Sequence, residues 1–217
     1  LVRDVIKVAS VKGERVLRNN VGYLRITQFS EPTGSEVAAA LERLATNELA
    51  GLVLDLRDNP GGLLSQAIAV AEQFLPEKAV IVTTRGREGV HESETFRAGA
   101  GKRRLDGVPV AILINRGTAS AAEIVTGALQ DARRAIVLGS KSFGKASVQK
   151  IMPLATREKC HIKLTAAHYY TPSGRMIHGT GIEPDIEVPM TPGEWRRARM
   201  RRDAEERPAA YTPEQRA

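Results

Sequence analysis

Alternating blocks of apolar residues along the chain predict strands and helices in turn. Residues 52–56 and 108–114 are nearly continuous apolar runs with the length of buried strands. Apolar positions at helical spacing predict a helix over residues 33–46, where Thr33 and Glu36 have the spacing of a capping box. This alternation is typical of an α/β fold with a parallel sheet.

The same pattern predicts the other elements. A second helix follows residue 62, and residues 80–84 and 94–97 are expected to pair as a β ribbon around a glycine-rich loop. A third helix is predicted over residues 121–133. Further strands are predicted at residues 22–26, 135–138, 147–154 and 161–169.

One large domain with appendages accounts for this order of elements. Residues 1–20 are predicted to form an N-terminal β ribbon with a turn at Lys12 and Gly13. Residues 21–190 form the predicted core, and residues 191–217 an added helix with a loose tail. No internal repeat of fixed period occurs.

Composition and charge exclude some classes of binding partner. The chain has 217 residues and a net charge of +7, but its basic residues are scattered and only 4% of its residues are aromatic. Single-stranded nucleic acid binding needs aromatic stacking surfaces, so no nucleic acid partner is expected. The C-terminal charge cluster predicts a mixed, solvated helix face, while a basic anchor for an acidic partner or a membrane surface remains open. This cluster contains Arg196, Arg197, Arg199, Arg201, Arg202, Asp203, Glu205 and Glu206.

The chain carries few signals of cellular location. Cys160 is its only cysteine, which excludes an internal disulfide, and the alternating residues around it predict a packing role. No apolar run is long enough to span a bilayer. Leu1 opens directly into a strand-like run without a signal peptide, so a mature or trimmed chain is expected.

Ser120 is the first candidate for chemistry. It is predicted to lie between a buried strand and a helix, where unpaired backbone N–H groups and the helix dipole favour negative charge. A nucleophile there would have both its alkoxide and a nearby oxyanion stabilised. Ser120 and Glu123 also have the spacing of a capping box, so a purely structural role remains the alternative.

A Pro-Gly-Gly turn is the second candidate. Residues 55–62 (DLRDNPGG) end a buried strand with Gly61 and Gly62, whose backbone N–H groups are not screened by side chains. Such a concave backbone can hold an oxyanion or an extended peptide. A plain strand-to-helix turn is the structural alternative.

Lys145 is the third candidate, and it lies in a segment whose sequence is similar to a phosphate-binding loop. Residues 139–145 match the pattern G-x-x-x-x-G-K, but Ala146 replaces the Ser or Thr that would bind magnesium, and a strand is predicted to follow. We therefore expect no nucleotide. Burial of Lys145 against Phe143 and Val148 would favour the neutral amine that a general base requires.

Together these segments resemble the carboxy-terminal processing proteases, also called tail-specific proteases, a family of Ser–Lys serine peptidases. The resemblance spans residues 1–189, and its segments occur in the family's order. They are residues 22–29 (GYLRITQF), 55–62 (DLRDNPGG), 117–124 (GTASAAEI), 142–149 (SFGKASVQ), 169–175 (YYTPSGR) and 181–185 (GIEPD).

The resemblance implies a crotonase/ClpP-like core of βα repeats with added β ribbons, and it assigns roles to residues. Ser120 matches the nucleophile and Lys145 the general base, while Gln149 matches a glutamine that orients the lysine amine. Asp131 matches an aspartate that is important in some members, which we interpret as structural. The implied oxyanion hole consists of the backbone N–H groups of Ala121 and of Gly61 or Gly62.

The implied function is that of a serine endopeptidase that cleaves protein substrates near their C-termini through an acyl-enzyme. No metal or cofactor is expected. A Ser–Lys dyad needs no histidine, and none of the four histidines lies in the matched catalytic segments. The family also implies an extracytoplasmic location, in the periplasm or cell envelope. The oligomeric state is not predicted.

The chain departs from the family pattern in two places. Ala146 stands where a glycine usually follows the lysine. The PDZ domain that commonly binds substrate C-termini is expected to be absent, because the segment before Val21 is too short for one. A non-catalytic peptide-binding homologue and a hydrolase of small esters or amides remain alternative functions. The acyl-CoA chemistry of crotonase-like proteins does not need a Ser–Lys pair.

Overall fold

The computed structural model of the protein describes residues 9–46, 48–86, 92–100, 105–153 and 160–206. The first eight residues and the tail after residue 206, for which a strand-like run and a loose end were predicted, lie outside these ranges. The helices are α1 (Thr33–Ala45), α2 (Leu64–Ala71), α3 (Ala121–Asp131) and α4 (Pro192–Glu206). The strands are β1 (Val11–Leu17), β2 (Val21–Ile26), β3 (Gly51–Asp55), β4 (Val80–Gly86), β5 (Glu94–Arg97), β6 (Val110–Ile114), β7 (Ala135–Gly139), β8 (Ser147–Pro153), β9 (His161–Tyr170) and β10 (Ile186–Glu187).

A six-stranded sheet in the order β1-β2-β3-β6-β7-β10 forms the centre of the molecule. β1 is antiparallel to β2, and the remaining neighbours are parallel. Helices connect β2 to β3, β3 to β6 and β6 to β7, as parallel strands require. The predicted α/β class with a parallel sheet is confirmed.

One face of this sheet is buried beneath α1, α2 and α3. Alternate strand residues such as Leu54 and Ile112 are fully buried there, whereas their neighbours Val53 and Ala111 are only partly buried. α1 packs against α2, and α2 against α3, so the three helices form a continuous layer. Burial of this apolar face supplies most of the stabilisation of the core.

Helix α4 lies against the β1 side of the sheet and is anchored by buried charges. Arg25 of β2 donates two hydrogen bonds to Glu206, and buried Arg202 donates one to Asp58 at 3.0 Å. The prediction of a solvated charged face is therefore wrong for Arg202, because periodicity could not show a partner from a distant loop. Arg196, Arg197, Arg199 and Arg201 are exposed as predicted.

A second, antiparallel sheet has the order β5-β4-β9-β8, which confirms the predicted pairing of residues 80–84 with 94–97. β4 pairs with β9 only at residues 167–170, whereas β8 pairs with β9 along its whole length. Residues 149–153 and 161–165 therefore form a two-stranded extension, the β8–β9 arm. No helix of the described ranges has the length and apolar character needed to cross a membrane.

Two local predictions are wrong. Thr33 is the first residue of α1 rather than its cap, and Glu36 accepts hydrogen bonds from the backbone of Ser10 and Val11 instead of closing a capping box. The predicted turn at Gly13 is an irregularity within β1, where the register with β2 shifts and Gly13 has a φ of 64°. In both cases a partner outside the local sequence decides the conformation.

Candidate active site

Three loops meet at one edge of the parallel sheet. Residues 56–63 follow β3, residues 115–120 follow β6, and residues 140–146 follow β7. Because the three strands are neighbours and parallel, their carboxyl ends lie at the same edge, where α/β proteins commonly bind ligands. These loops contain the Pro-Gly-Gly turn with Gly61 and Gly62 (the glycine turn), Ser120 and Lys145. The topology therefore brings the three candidate segments together.

Ser120 has a strained backbone. Its φ of 56° and ψ of −118° lie in a region that residues with a side chain rarely adopt, and it directly precedes α3. Strain of this kind costs about 1–3 kcal/mol and persists only where the surroundings enforce it. Ser120 is half-buried, and it forms a sharp turn between the loop after β6 and the beginning of α3. This is the geometry of a nucleophile elbow.

Buried Glu123 in the first turn of α3 connects the Ser120 segment to the Lys145 loop. Its Oε2 accepts hydrogen bonds from the backbone N–H groups of Ser120 (2.8 Å) and Lys145 (2.9 Å). Its Oε1 accepts from the Ser142 hydroxyl (2.5 Å) and the Gly144 N–H (2.7 Å). Two donors on each oxygen satisfy this buried carboxylate.

This shared carboxylate fixes the separation of the two segments. Because Oε2 of Glu123 binds both amides, the backbone nitrogens of Ser120 and Lys145 lie less than about 6 Å apart. The capping box predicted from the spacing of Ser120 and Glu123 is confirmed, and the bond from the Ser120 N–H to the Glu123 carboxylate belongs to it. Its further bonds to residues 142–145 could not be predicted from that spacing.

The glycine turn packs directly against the Ser120 elbow. A Cβ on Gly61 would lie 2.6 Å from the Ala119 carbonyl oxygen and 2.7 Å from the Ser120 Cβ. The Gly61 N–H donates to the Asn59 side chain at 2.8 Å, so it is not available as an oxyanion donor in this structure. The N–H groups of Gly62 and Ala121 have no hydrogen-bond partner among the described residues.

Two asparagines fasten the glycine turn to the loop before Ser120. The Ala119 N–H donates to the Asn59 carbonyl oxygen at 2.9 Å. Asn115 and Asp58 form a reciprocal pair, in which the Asp58 N–H donates to the Asn115 side chain and the Asn115 amide donates to the Asp58 carboxylate. Arg202 of α4 supports the turn through its hydrogen bond to Asp58.

A buried ion pair between Asp55 and Arg57 lies at the end of β3, directly before the glycine turn. Burial would raise the pKa of Asp55, but hydrogen bonds and the charge of Arg57 hold it below its usual range. The Arg57 guanidinium binds both carboxylate oxygens, at 2.9 and 2.6 Å, and Tyr23 donates its hydroxyl at 2.7 Å. Asp55 is therefore an ionised structural group at neutral pH, without the raised pKa typical of a catalytic acid.

The side chains of Lys145 and Gln149 are exposed and do not meet Ser120 in this structure. Across the ranges described, neither side chain forms a hydrogen bond or ion pair. Phe143 is 66% exposed and does not cover the lysine, so the predicted burial of Lys145 is wrong. The loop instead buries Ala146 and Ser142, because its backbone bonds run inward to Glu123 and to Ile182.

Asp131 lies at the far end of α3 and holds a turn rather than the Ser120 site. It accepts hydrogen bonds from the Ser173 N–H, at 2.8 Å, and from the Arg175 guanidinium. Burial would raise the pKa of Asp131, but hydrogen bonds from Thr171, Ser173 and Arg175 keep it below its usual value. Its contacts agree with the structural interpretation.

Replacing Asp131 with asparagine is expected to lower the free energy of unfolding by about 2 kcal/mol at pH 7. The lowered pKa stabilises the folded protein above the unfolded value near pH 3.9, and this contribution disappears as the pH falls through the folded pKa. Urea unfolding of both proteins from pH 7 to pH 2.5 measures the difference. A difference that does not shrink below pH 4 would contradict this role.

Two histidines stand beside the lysine loop. The rings of His168 and His178 are 4.8 Å apart, and His178 Nδ1 accepts a long hydrogen bond of 3.4 Å from the Ala146 N–H. Neither ring forms a hydrogen bond with Ser120 or Lys145 in the described chain. Within the same ranges, no group of three or more His, Cys, Asp or Glu side chains is arranged to hold a metal ion.

Comparison with known proteins gives a consistent result. The model of Peptidase family S41 matches residues 20–188. A carboxy-terminal-processing protease of Bartonella bacilliformis is 51% identical over 193 residues, 87% of this chain and 43% of the relative. A carboxyl-terminal-processing protease of Synechocystis is 43% identical over 79% of this chain and 39% of its own length. The photosystem II D1 C-terminal processing protease superposes with a TM-score of 0.72 at 29% identity, over 84% of this chain and 49% of that one.

Proposed function

The chain belongs to peptidase family S41, and on that premise we propose that it is a serine endopeptidase that cleaves protein substrates near their C-termini. Ser120 is the nucleophile and Lys145 the general base. Gln149 orients the lysine amine, and the N–H groups of Ala121 and Gly62 bind the oxyanion. The matched relatives carry carboxy-terminal processing in their names.

The backbone of Ser120 carries this proposal. Its strained conformation is maintained by the Glu123 carboxylate on one side and the glycine turn on the other. Such strain has no structural purpose at an ordinary helix cap, where an unstrained extended residue serves equally well. A nucleophile gains from it, because a sharp turn between a strand and a helix makes the hydroxyl accessible to a substrate.

The proposed reaction is acyl transfer. Neutral Lys145 takes the hydroxyl proton of Ser120 as its oxygen bonds to the substrate carbonyl carbon, which gives a tetrahedral oxyanion. Collapse breaks the C–N bond, and the lysine ammonium gives its proton to the leaving amine. A water then attacks the ester carbonyl and gives a proton to Lys145, which forms a second tetrahedral oxyanion. Its collapse breaks the bond to the Ser120 oxygen, which takes the proton back from Lys145, and the new C-terminus is released with both residues restored.

Stabilisation of the oxyanion is assigned to two free amides. Ala121 is the first residue of α3, so its N–H combines an open hydrogen-bonding site with the positive end of the helix dipole. The Gly62 N–H belongs to the turn that lies against Ser120. Paired donors of this kind typically contribute about 3–4 kcal/mol each to transition-state stabilisation.

Alignment of the lysine is proposed to accompany substrate binding. The backbone of Lys145 is already fixed near Ser120 through Glu123, so rotation of its side chain alone can bring the amine to the hydroxyl. A bound substrate would exclude water from the exposed amine, and a dry environment favours the neutral form. Substrate binding thus completes the dyad in this scheme.

The wider biological setting is also part of the proposal. The chain spans less than half the length of the curated relatives it matches, so residues 21–190 are taken as the catalytic core of a larger functional unit. Its substrates would be proteins or peptides bound through their C-terminal regions. Its place of action would be extracytoplasmic, in the periplasm or cell envelope.

Labelling with a fluorophosphonate tests this function. Intact-protein mass spectrometry should show one adduct on the wild-type chain, mapped to Ser120, and none on Ser120→Ala. Lys145→Ala should react at least about 100-fold more slowly, because the proton acceptor is missing. Ser140→Ala, a half-buried serine in the neighbouring loop, is the matched control and should react like the wild type.

The outcomes separate the alternative functions. Absence of both labelling and peptide hydrolysis with the wild type would favour a non-catalytic peptide-binding protein, whereas peptide hydrolysis without labelling would indicate a site that is aligned only when substrate binds. Labelling at Ser120 with hydrolysis of small esters but of no peptide would favour a small ester or amide hydrolase. Labelling that persists in Lys145→Ala would disprove the role of Lys145 as general base.

A further inference from the structure

The β8–β9 arm is a part of the molecule without internal support. β4 pairs with β9 only from residue 167 onward, so residues 161–165 have β8 as their one strand neighbour among the described residues. A two-stranded ribbon is at best marginally stable alone in water. The arm therefore has the character of a surface that gains order by binding.

Large apolar side chains are exposed on both faces of the arm. Ile151 is 67% exposed and Met152 is 42% exposed, while Ile162 and Leu164 on β9 are also exposed. Exposed apolar residues scattered singly need no explanation, but Met152, Ile162 and Leu164 lie together on one face of the arm, because Met152 is opposite Ile162 and residue 150 is opposite Leu164. A contiguous apolar group of this kind is typical of a binding surface. A partner that covers them would bury apolar area on the arm.

The charge of the arm restricts the partner. Between residues 147 and 170 the sequence has four basic residues, Lys150, Arg157, Lys159 and Lys163, against one acidic residue, Glu158. A basic surface with apolar residues is complementary to a chain that carries acidic and apolar side chains.

The position of the arm connects it to the proposed reaction. β8 begins at Ser147, two residues after Lys145, and Gln149 lies on it. β8 is also the last strand of its sheet, so its outer edge has unpaired backbone groups within the described part of the chain. An edge of this kind accepts an extended peptide as an added strand.

We propose that the outer edge of β8 is the docking strand for the substrate, which binds there as an extended segment rich in apolar and acidic residues. Ile151 and Met152 contact its side chains, and the backbone of β8 pairs with its backbone. This inference rests on the proposed function and adds to it the mode of binding and the preferred chemistry. The added strand would also cover the exposed lysine at the base of the arm.

Kinetics with a quenched-fluorescence peptide of alternating apolar and acidic residues test the docking strand. Ile151→Asp and Met152→Asp are each expected to raise KM about tenfold, because a carboxylate replaces an apolar contact and opposes the acidic substrate. Fluorophosphonate labelling of Ser120 should proceed at the wild-type rate in both variants. The matched controls, Ile136→Asp and Met200→Asp, alter similarly exposed residues outside the arm and should leave KM unchanged.

Backbone pairing has its own signature. A non-cleavable analogue of this peptide should inhibit hydrolysis of the substrate by the wild type. N-methylation of its backbone amides, one at a time, should weaken that inhibition at every second position, since only alternate N–H groups of a strand point to its neighbour. A peptide in which lysine replaces each acidic residue should bind about tenfold more weakly.

The results distinguish failure of this inference from failure of the proposed function. Absence of both labelling at Ser120 and peptide hydrolysis in the wild type would contradict the proposed function. Normal labelling with an unchanged KM in the arm variants would contradict the docking strand alone. So would arm variants that change the oligomeric state in sedimentation velocity rather than KM, because the arm would then be an interface between copies of the chain.

Discussion

Replacing Glu123 with glutamine is expected to lower kcat/KM for peptide hydrolysis by at least about 100-fold. Each oxygen of the carboxylate accepts two donors, and the amide group of glutamine can replace only one oxygen as an acceptor. In either orientation at least one backbone N–H, that of Gly144 or those of Ser120 and Lys145, would face another donor. The segments of Ser120 and Lys145, which we propose to be catalytic, would then lose their common support.

The same substitution should lower the free energy of unfolding by about 3 kcal/mol, because buried donors lose their acceptor. Urea unfolding and peptide kinetics measure the two effects. Glu36→Gln is the matched control, since only Oε2 of Glu36 binds Ser10 and Val11, and the carbonyl oxygen of glutamine can accept the same bonds. Glu36→Gln should keep wild-type kcat/KM, and an equal loss in both variants would contradict the role of Glu123.

Replacing Gly61 with alanine should also reduce kcat/KM by about 100-fold. The new methyl group would lie 2.6 Å from the Ala119 carbonyl oxygen and 2.8 Å from the Ala121 nitrogen, much closer than van der Waals contact. The glycine turn and the Ser120 elbow must then separate, and the oxyanion donors would move. The rate of fluorophosphonate labelling at Ser120 would report this displacement directly.

Gly107→Ala separates this steric effect from the cost of backbone conformation. Gly107 has a φ of 76°, comparable to the 93° of Gly61, but no heavy atom lies within 4 Å of a Cβ built there. Both variants should lose about 1 kcal/mol of stability because alanine disfavours positive φ. Gly61→Ala should lose more than this, because its methyl group also displaces its neighbours. Only Gly61→Ala should lose activity, and full labelling of that variant would disprove the tight packing proposed for the site.

The sequence predicted the elements that depend on local pattern. The apolar runs of β3 and β6 are buried strands, and their neighbouring positions in a parallel sheet bring the loops that follow them to one edge. Ser120 was a candidate because a serine between a buried strand and a helix lies at a site that favours negative charge. These inferences need only periodicity, turn residues and the geometry of parallel strands.

The details that the sequence did not predict depend on distant partners. Three of the four bonds of Glu123 involve a loop more than fifteen residues away, and no periodicity indicates such a contact. The exposure of Lys145 follows from the direction in which its loop turns, which Gly144 and Gly181 set through their close approach. Burial of Arg202 likewise depends on acidic groups of the first third of the chain.

The attachment of α4 has a consequence for the order of folding. Arg25 and Glu206 are 181 positions apart in sequence, and Asp58 and Arg202 are 144 apart, so both pairs form only by closing very long loops. During synthesis the strands of the parallel sheet emerge before the helix that supports the glycine turn. A nascent chain that ends before residue 202 lacks this support, so the turn gains its final rigidity only after α4 has been synthesised.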